Sequence, residues 1–120
     1  MKEFEKDFVI YPIAIKMKEL GFNEPCLAGY DDTEKLHIRN VDFQSDFKGF
    51  CLTPTYQHIF RWFRKNFHWT YKVNQVTKNN WSYTLENFPN DRNYYGQLYK
   101  SFEEAEIACV EKIIEFIKRK

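Results

Sequence analysis

The sequence predicts an α+β fold: a two-layer sandwich in α-β-β-α-β-β-α order, with antiparallel hairpins packed against helices. Three observations predict it. Apolar residues recur at helical spacing in three separated segments, and apolar/polar alternation marks strand pairs between them. The polar clusters inside those strand pairs are also too short to carry a crossover, so pairing must be antiparallel. A chain of 120 residues, 43% hydrophobic and 29% charged, suits a single domain over 1–120. Twelve Phe, eight Tyr and three Trp predict an aromatic-rich core.

The first helix is expected over Tyr11–Leu20. Ile10, Ile13, Ala14, Met17 and Leu20 share a face, Pro12 suits a first turn and Gly21 the position past the end. Cys26–Tyr30 and "KLHIRN", joined by "DDTE", read as a hairpin with Leu36 and Ile38 inward and His37 and Arg39 outward. "VDFQSDFKGF" has no period and reads as a loop tethered by Phe43, Phe47 and Phe50. Thr53 is the expected N-cap of the second helix, with Pro54 at its first position. Trp69, Tyr71 and Val73, then "TKNN", then Trp81, Tyr83 and Leu85 make a second hairpin with one apolar and one wet face. A tyrosine-rich connector leads to "SFEE", a capping box pairing Ser101 with Glu104. The third helix follows to the C-terminus. Phe102, Ala105, Ala108, Cys109, Ile113 and Phe116 form its apolar stripe, widened by Ile107, Val110, Ile114 and Ile117. Each helix with its following hairpin could repeat one αββ unit, although the residues carry no convincing similarity.

Several chemistries lack a signature. Cys26, Cys51 and Cys109 are odd in number and never in a C-x-x-C pair, which argues against a disulfide framework or thiolate zinc site and for a reducing compartment. The N-terminus carries Glu3, Glu5 and Asp7 and only a short apolar run, so neither a leader nor a membrane span is expected, and a cytoplasmic protein is. His37, His58 and His68 lack metal-ligand spacing, and no metal is expected. Cys26 pairs near Asn40 in a tight hairpin, which leaves His37 several residues away and makes a Cys/His nucleophile unfavourable against a buried thiol. "DDTE" lacks calcium-loop spacing, and no glycine-rich nucleotide cradle exists, so no cofactor is expected. A hydrolase would need Asp31, Asp32 and Asp91 to converge.

The charge is uneven along the chain. Residues 1–50 carry seven Lys/Arg against ten Asp/Glu, residues 51–80 five against none, and residues 81–120 six against seven. The acid-free middle contains "TPTYQHIFRWFRKNFHW", Thr53–Trp69. At about 100° per residue, Tyr56, Ile59, Phe60, Phe63 and Phe67 fall on one face, which belongs in the core. His58, Arg61, Trp62 and Lys65 fall opposite, with Arg64 on a flank. Trp62 among cations is either covered by the Phe43–Phe50 loop, with Arg61 or Lys65 over its ring, or exposed for a partner. The covered state is the ordinary expectation for a large aromatic. The functional alternative puts Arg61, Arg64, Lys65 and Lys72 on phosphates and stacks Trp62 on an unpaired base. The wet face of the second hairpin lacks the paired aromatics of a base-stacking sheet, so nucleic acid would meet the helix.

Three blocks, "IAIKMKELGFNEPCLAGYDD", "TPTYQHIFRWFRKNF" and "SFEEAEIACVEKIIEFIK", cover about half of the chain. In this order they resemble a group of small uncharacterised proteins from phages and prophages of Bacteroides and related bacteria. The resemblance implies a phage-linked protein in the bacterial cytoplasm and transfers no activity, cofactor or catalytic residue. The expected function is therefore a non-enzymatic protein-binding module whose partner is a host or phage protein. Nucleic-acid binding is the alternative, and the candidate binding residues are His58, Arg61, Trp62, Arg64 and Lys65. No membrane partner is expected, and a homodimer through an exposed sheet edge is a further expectation.

Overall fold

The computed structural model describes residues 3–43, 51–87 and 92–119. The fold is α+β. A short 3-10 helix (Glu3–Asp7) precedes α1 (Tyr11–Glu19), β1 (Cys26–Tyr30), β2 (Leu36–Phe43), β3 (Cys51–Thr53), α2 (Tyr56–Phe67), β4 (Trp69–Thr77), β5 (Asn80–Asn87), β6 (Arg92–Tyr95) and α3 (Phe102–Lys118). The strands form two separate three-stranded antiparallel sheets, ordered β2-β1-β3 and β4-β5-β6. The chain divides into two compact units, Met1–Ile59 and Phe60–Lys120. Among the described residues no helix is long and apolar enough to cross a membrane.

In the first unit α1 packs against β3 and buries Ile13, Ala14 and Met17. Its end is set by Gly21 at φ 95°, a left-handed conformation that glycine adopts without penalty. Phe22 N–H donates to the Met17 carbonyl at 3.0 Å and Gly21 N–H to Lys18 at 3.1 Å, the paired bonds of a Schellman end. The segment ahead of α1 is tied to the sheet through one atom. The Val9 carbonyl accepts from the Thr53 hydroxyl at 2.6 Å and the Tyr30 hydroxyl at 2.9 Å, while Val9 N–H donates to Pro54. Two histidine–carboxylate contacts bracket the central strand β1: Glu24 with His58 at 2.6 Å before it, and Asp31 with His37 at 2.7 Å after it.

In the second unit β4, β5 and β6 form a meander, and α3 lies across β4 and β5. Tyr83, Leu85, Cys109, Val110 and Ile113 are buried there. Trp69 stacks on Phe116 at 5.2 Å and Phe60 on Tyr71 at 3.5 Å. Tyr83 lies between Tyr94 and Tyr99, both at 6.1 Å. Gly96 is needed because a Cβ there would come within 2.3 Å of the Tyr83 ring. Ser101 caps α3 by accepting from Glu104 N–H at 3.1 Å, and the Glu104 carboxylate accepts from Lys100 N–H rather than from Ser101.

Several expectations are corrected. Helix α2 opens two residues later than predicted, with Thr55 as cap: its hydroxyl accepts from His58 N–H at 3.2 Å. Thr53 is instead a buried residue of β3, paired with Ala28, so its hydroxyl serves the sheet. Val41–Phe43 continue β2, while residues 44–50, with Phe47 and Phe50, lie outside the described residues. A bulge between Cys26 and Ala28 shifts the register, so Cys26 pairs with Phe43 and not near Asn40. Ile38 is exposed at the sheet edge, and His37 turns to Asp31. The tyrosine-rich connector contains strand β6. The first strand after the helix is central in one sheet and at the edge in the other, so the two halves do not repeat one αββ unit.

Candidate functional site

The expected binding residues all lie on α2, and the structure separates them into three kinds. His58 is half-buried, bonded to Glu24 and edge-on to the Phe22 ring at 5.3 Å, so it is a fixed part of the first unit. Trp62 is only 9% exposed and packs on Phe63 at 5.8 Å and Phe67 at 5.3 Å. The indole therefore cannot stack on an unpaired base in this fold. Of the Phe43–Phe50 loop expected to cover it, residues 44–50 lie outside the described residues.

The third kind is a set of exposed cations. Arg61, Arg64 and Lys65 are all exposed, and helical geometry gathers them on an arc of about 100°. Among the described residues none of the three forms an ion pair with a carboxylate. Arg64 and Lys65 also sit in the last turn of α2, where positive charge complements the helix dipole. That turn is closed from β5. The Asn87 side chain, 3% exposed, donates to the Phe67 carbonyl at 3.0 Å and the His68 carbonyl at 3.3 Å. His68 takes φ 60° to leave the helix. Asn66 donates to the Trp62 carbonyl at 3.0 Å.

A second surface lies at the far end of the β4–β5 hairpin, around Trp81, and no periodic pattern marks it as exposed. Trp81 pairs with Gln75 on β4 and exchanges two 2.7 Å backbone hydrogen bonds with Tyr99. Its ring meets Phe102 edge-on at 5.6 Å. Val76 occupies the β4 irregularity next to Gln75 and is 54% exposed; Leu98 precedes Tyr99 and is 60% exposed; Phe102 is 38% exposed. Phe102 thus meets the half-buried indole directly, while Val76 and Leu98 sit one residue along the chain from its backbone partners Gln75 and Tyr99, at the same end of the sheet. Phe102 belongs by spacing to the apolar stripe of α3, but as its first residue it stays exposed against Trp81. Leu98 was invisible because the chain leaves the ladder between Gly96, which donates to Tyr83, and Tyr99, which bridges Trp81. On the outer sheet face Tyr95 is exposed beside Thr84, so among the described residues that face carries one aromatic in place of a stacking pair.

Among the described residues the thiols are buried and Asp31 is held by its own turn. Cys26, Cys51 and Cys109 are buried and not joined in disulfides, and burial pushes the Cys51 and Cys109 thiols up. Asp31 is occupied by its turn: it accepts from the Thr33 hydroxyl at 2.6 Å, the Thr33 and Lys35 N–H groups, and the His37 ring. Among the described residues no three His, Cys, Asp or Glu side chains are placed to hold a metal. Asp91, the remaining acid of the hydrolase alternative, lies outside the described residues. Comparison with family models, curated proteins and solved structures found no match for this chain.

Proposed function

We propose that the chain is a non-enzymatic protein-binding module, phage- or prophage-linked and at work in the bacterial cytoplasm, with its contact surface at the Trp81 end of the second unit. One observation carries this reading: Phe102 is exposed against the Trp81 ring, and Val76 and Leu98 are exposed beside the backbone partners of Trp81 at the same end of the sheet. Single exposed apolar residues are ordinary, whereas a cluster rimmed by polar groups is how protein contact sites are built. The rim here is Lys78, Asn79, Lys100 and Glu103, all exposed. An aromatic anchor with flanking aliphatic groups is the composition that dominates binding energy at such sites. The phage link rests on the three sequence blocks, and the non-enzymatic reading is supported by the engagement of Asp31 in its turn and by the burial of the thiols.

The test compares capture from a Bacteroides-type host lysate by the full chain, by Leu98→Asp and by the triple variant Arg61→Gln/Arg64→Gln/Lys65→Gln. A partner lost with Leu98→Asp and kept by the triple variant supports the reading. A second copy of the chain as the captured species, seen also as a dimer by sedimentation, makes the same surface a self-association site. Equal capture by all three proteins removes the Trp81 end from consideration.

A further inference from the structure

We propose that Arg61, Arg64 and Lys65 on α2 form a contact site for the phosphodiester backbone of duplex nucleic acid, binding by charge alone without reading bases. This goes beyond the protein-binding reading and uses a different surface. The three side chains are exposed and, among the described residues, free of carboxylate partners, so their charge is directed at solvent. From Arg61 to Lys65 the helix rises about 6 Å. Each strand of a duplex carries one phosphate per about 3.4 Å of axis, so the arc spans two or three phosphates. Two of the three cations are arginines, whose planar fork matches phosphate oxygens.

The choice between phosphate and an acidic protein follows from what the arc lacks. Protein interfaces are organised around a desolvated apolar or aromatic centre. The one aromatic that could supply it, Trp62, is buried against Phe63 and Phe67. A purely cationic, solvated arc suits a backbone whose contacts are wet and electrostatic. The same burial removes base stacking, the interaction by which proteins favour single strands. Affinity should then follow charge density, highest for the duplex and indifferent to base composition.

The experiment titrates the full chain against a labelled 20-base-pair duplex, the matching single strand and polyglutamate, by anisotropy at several salt concentrations. Three phosphate contacts give a log–log salt slope of about −2.7 on the duplex, equivalent to a roughly forty-fold loss between 50 and 200 mM salt. Arg61→Gln, Arg64→Gln and Lys65→Gln should each reduce that slope by about 0.9. Lys35→Gln, which removes the same charge from the β1–β2 turn, should leave it unchanged. Circular dichroism of each variant, unchanged from the parent, shows that the fold is retained. No duplex binding at 50 mM salt overturns the proposal, as does a slope that survives the triple variant. Tighter binding to the single strand points to base contacts, and tighter binding to polyglutamate to an acidic protein; either result also overturns it.

Discussion

Asn87 closes the end of the helix that carries the cations, and its replacement tests that geometry directly. Its amide nitrogen serves two carbonyls, Phe67 and His68, from a position almost fully out of solvent. Each such bond contributes about 1 kcal/mol net, so Asn87→Ala should destabilise by roughly 1.5–2.5 kcal/mol, water reaching the exposed His68 more readily than Phe67. Asn87→Asp keeps the shape but turns a carboxylate on two carbonyl oxygens at the negative end of a helix. Its cost at pH 7 should be greater, about 2–4 kcal/mol. For a chain of 120 residues 1 kcal/mol corresponds to about 4 °C, so the midpoint of Asn87→Asp should fall by roughly 8–16 °C. The sign of its pH dependence is fixed. The ionised form is disfavoured in the fold, which raises the folded pKa of the new carboxyl, so the deficit is smallest below the unfolded value of about 4 and grows as pH rises through the folded value. Thermal and urea unfolding between pH 3.5 and 7.5 measure both quantities. A variant within about 0.5 kcal/mol of the parent at pH 7, or a deficit independent of pH, refutes the capping role.

Other outcomes follow from the same packing. Gly96→Ala drives a methyl group into the ring of buried Tyr83 and should cost about 1–3 kcal/mol by urea titration, whereas Gly96→Ala combined with Tyr83→Leu should recover part of it. Asp31 is held well below the usual carboxylate range, first by the Thr33 hydroxyl and next by the His37 ring. Its lowered folded pKa gives stability that is present above about pH 4 and lost as pH falls. Asp31→Asn should therefore be less stable than the parent at pH 6, with the gap closing under acid; a gap constant down to pH 2 would speak against this assignment.

Much of the architecture was legible because it rests on local chemistry. The Pro12 start and Gly21 stop of α1, the Ser101 cap and the alternation of β4 and β5 are each written in adjacent residues. What escaped was set by long-range pairing. "TPT" offers two threonines as caps, and only the pairing of Thr53 with Ala28 and its bond to Val9 leaves Thr55 for the helix. Strand β3 is three residues long and β6 four, too short for a period to show. The candidate site was half legible. Helical arithmetic placed Arg61, Arg64 and Lys65 outside, and Trp62, on the same side of the wheel, is buried as is ordinary for a large aromatic, which leaves the cations without it. The apolar end around Trp81 depends on the β4 irregularity and on the chain leaving the ladder after Gly96, neither of which a one-dimensional pattern encodes.

The central claim is that a partner protein seats on the Trp81 end. Hydroxyl-radical footprinting of the full chain, alone and bound to the protein it captures, reads this residue by residue through mass spectrometry. The expected result is protection of Leu98 and Phe102 on binding, with oxidation of the outer-face Tyr95 left as the internal reference. Protection confined to other residues, with Leu98 and Phe102 labelled equally in both samples, contradicts it.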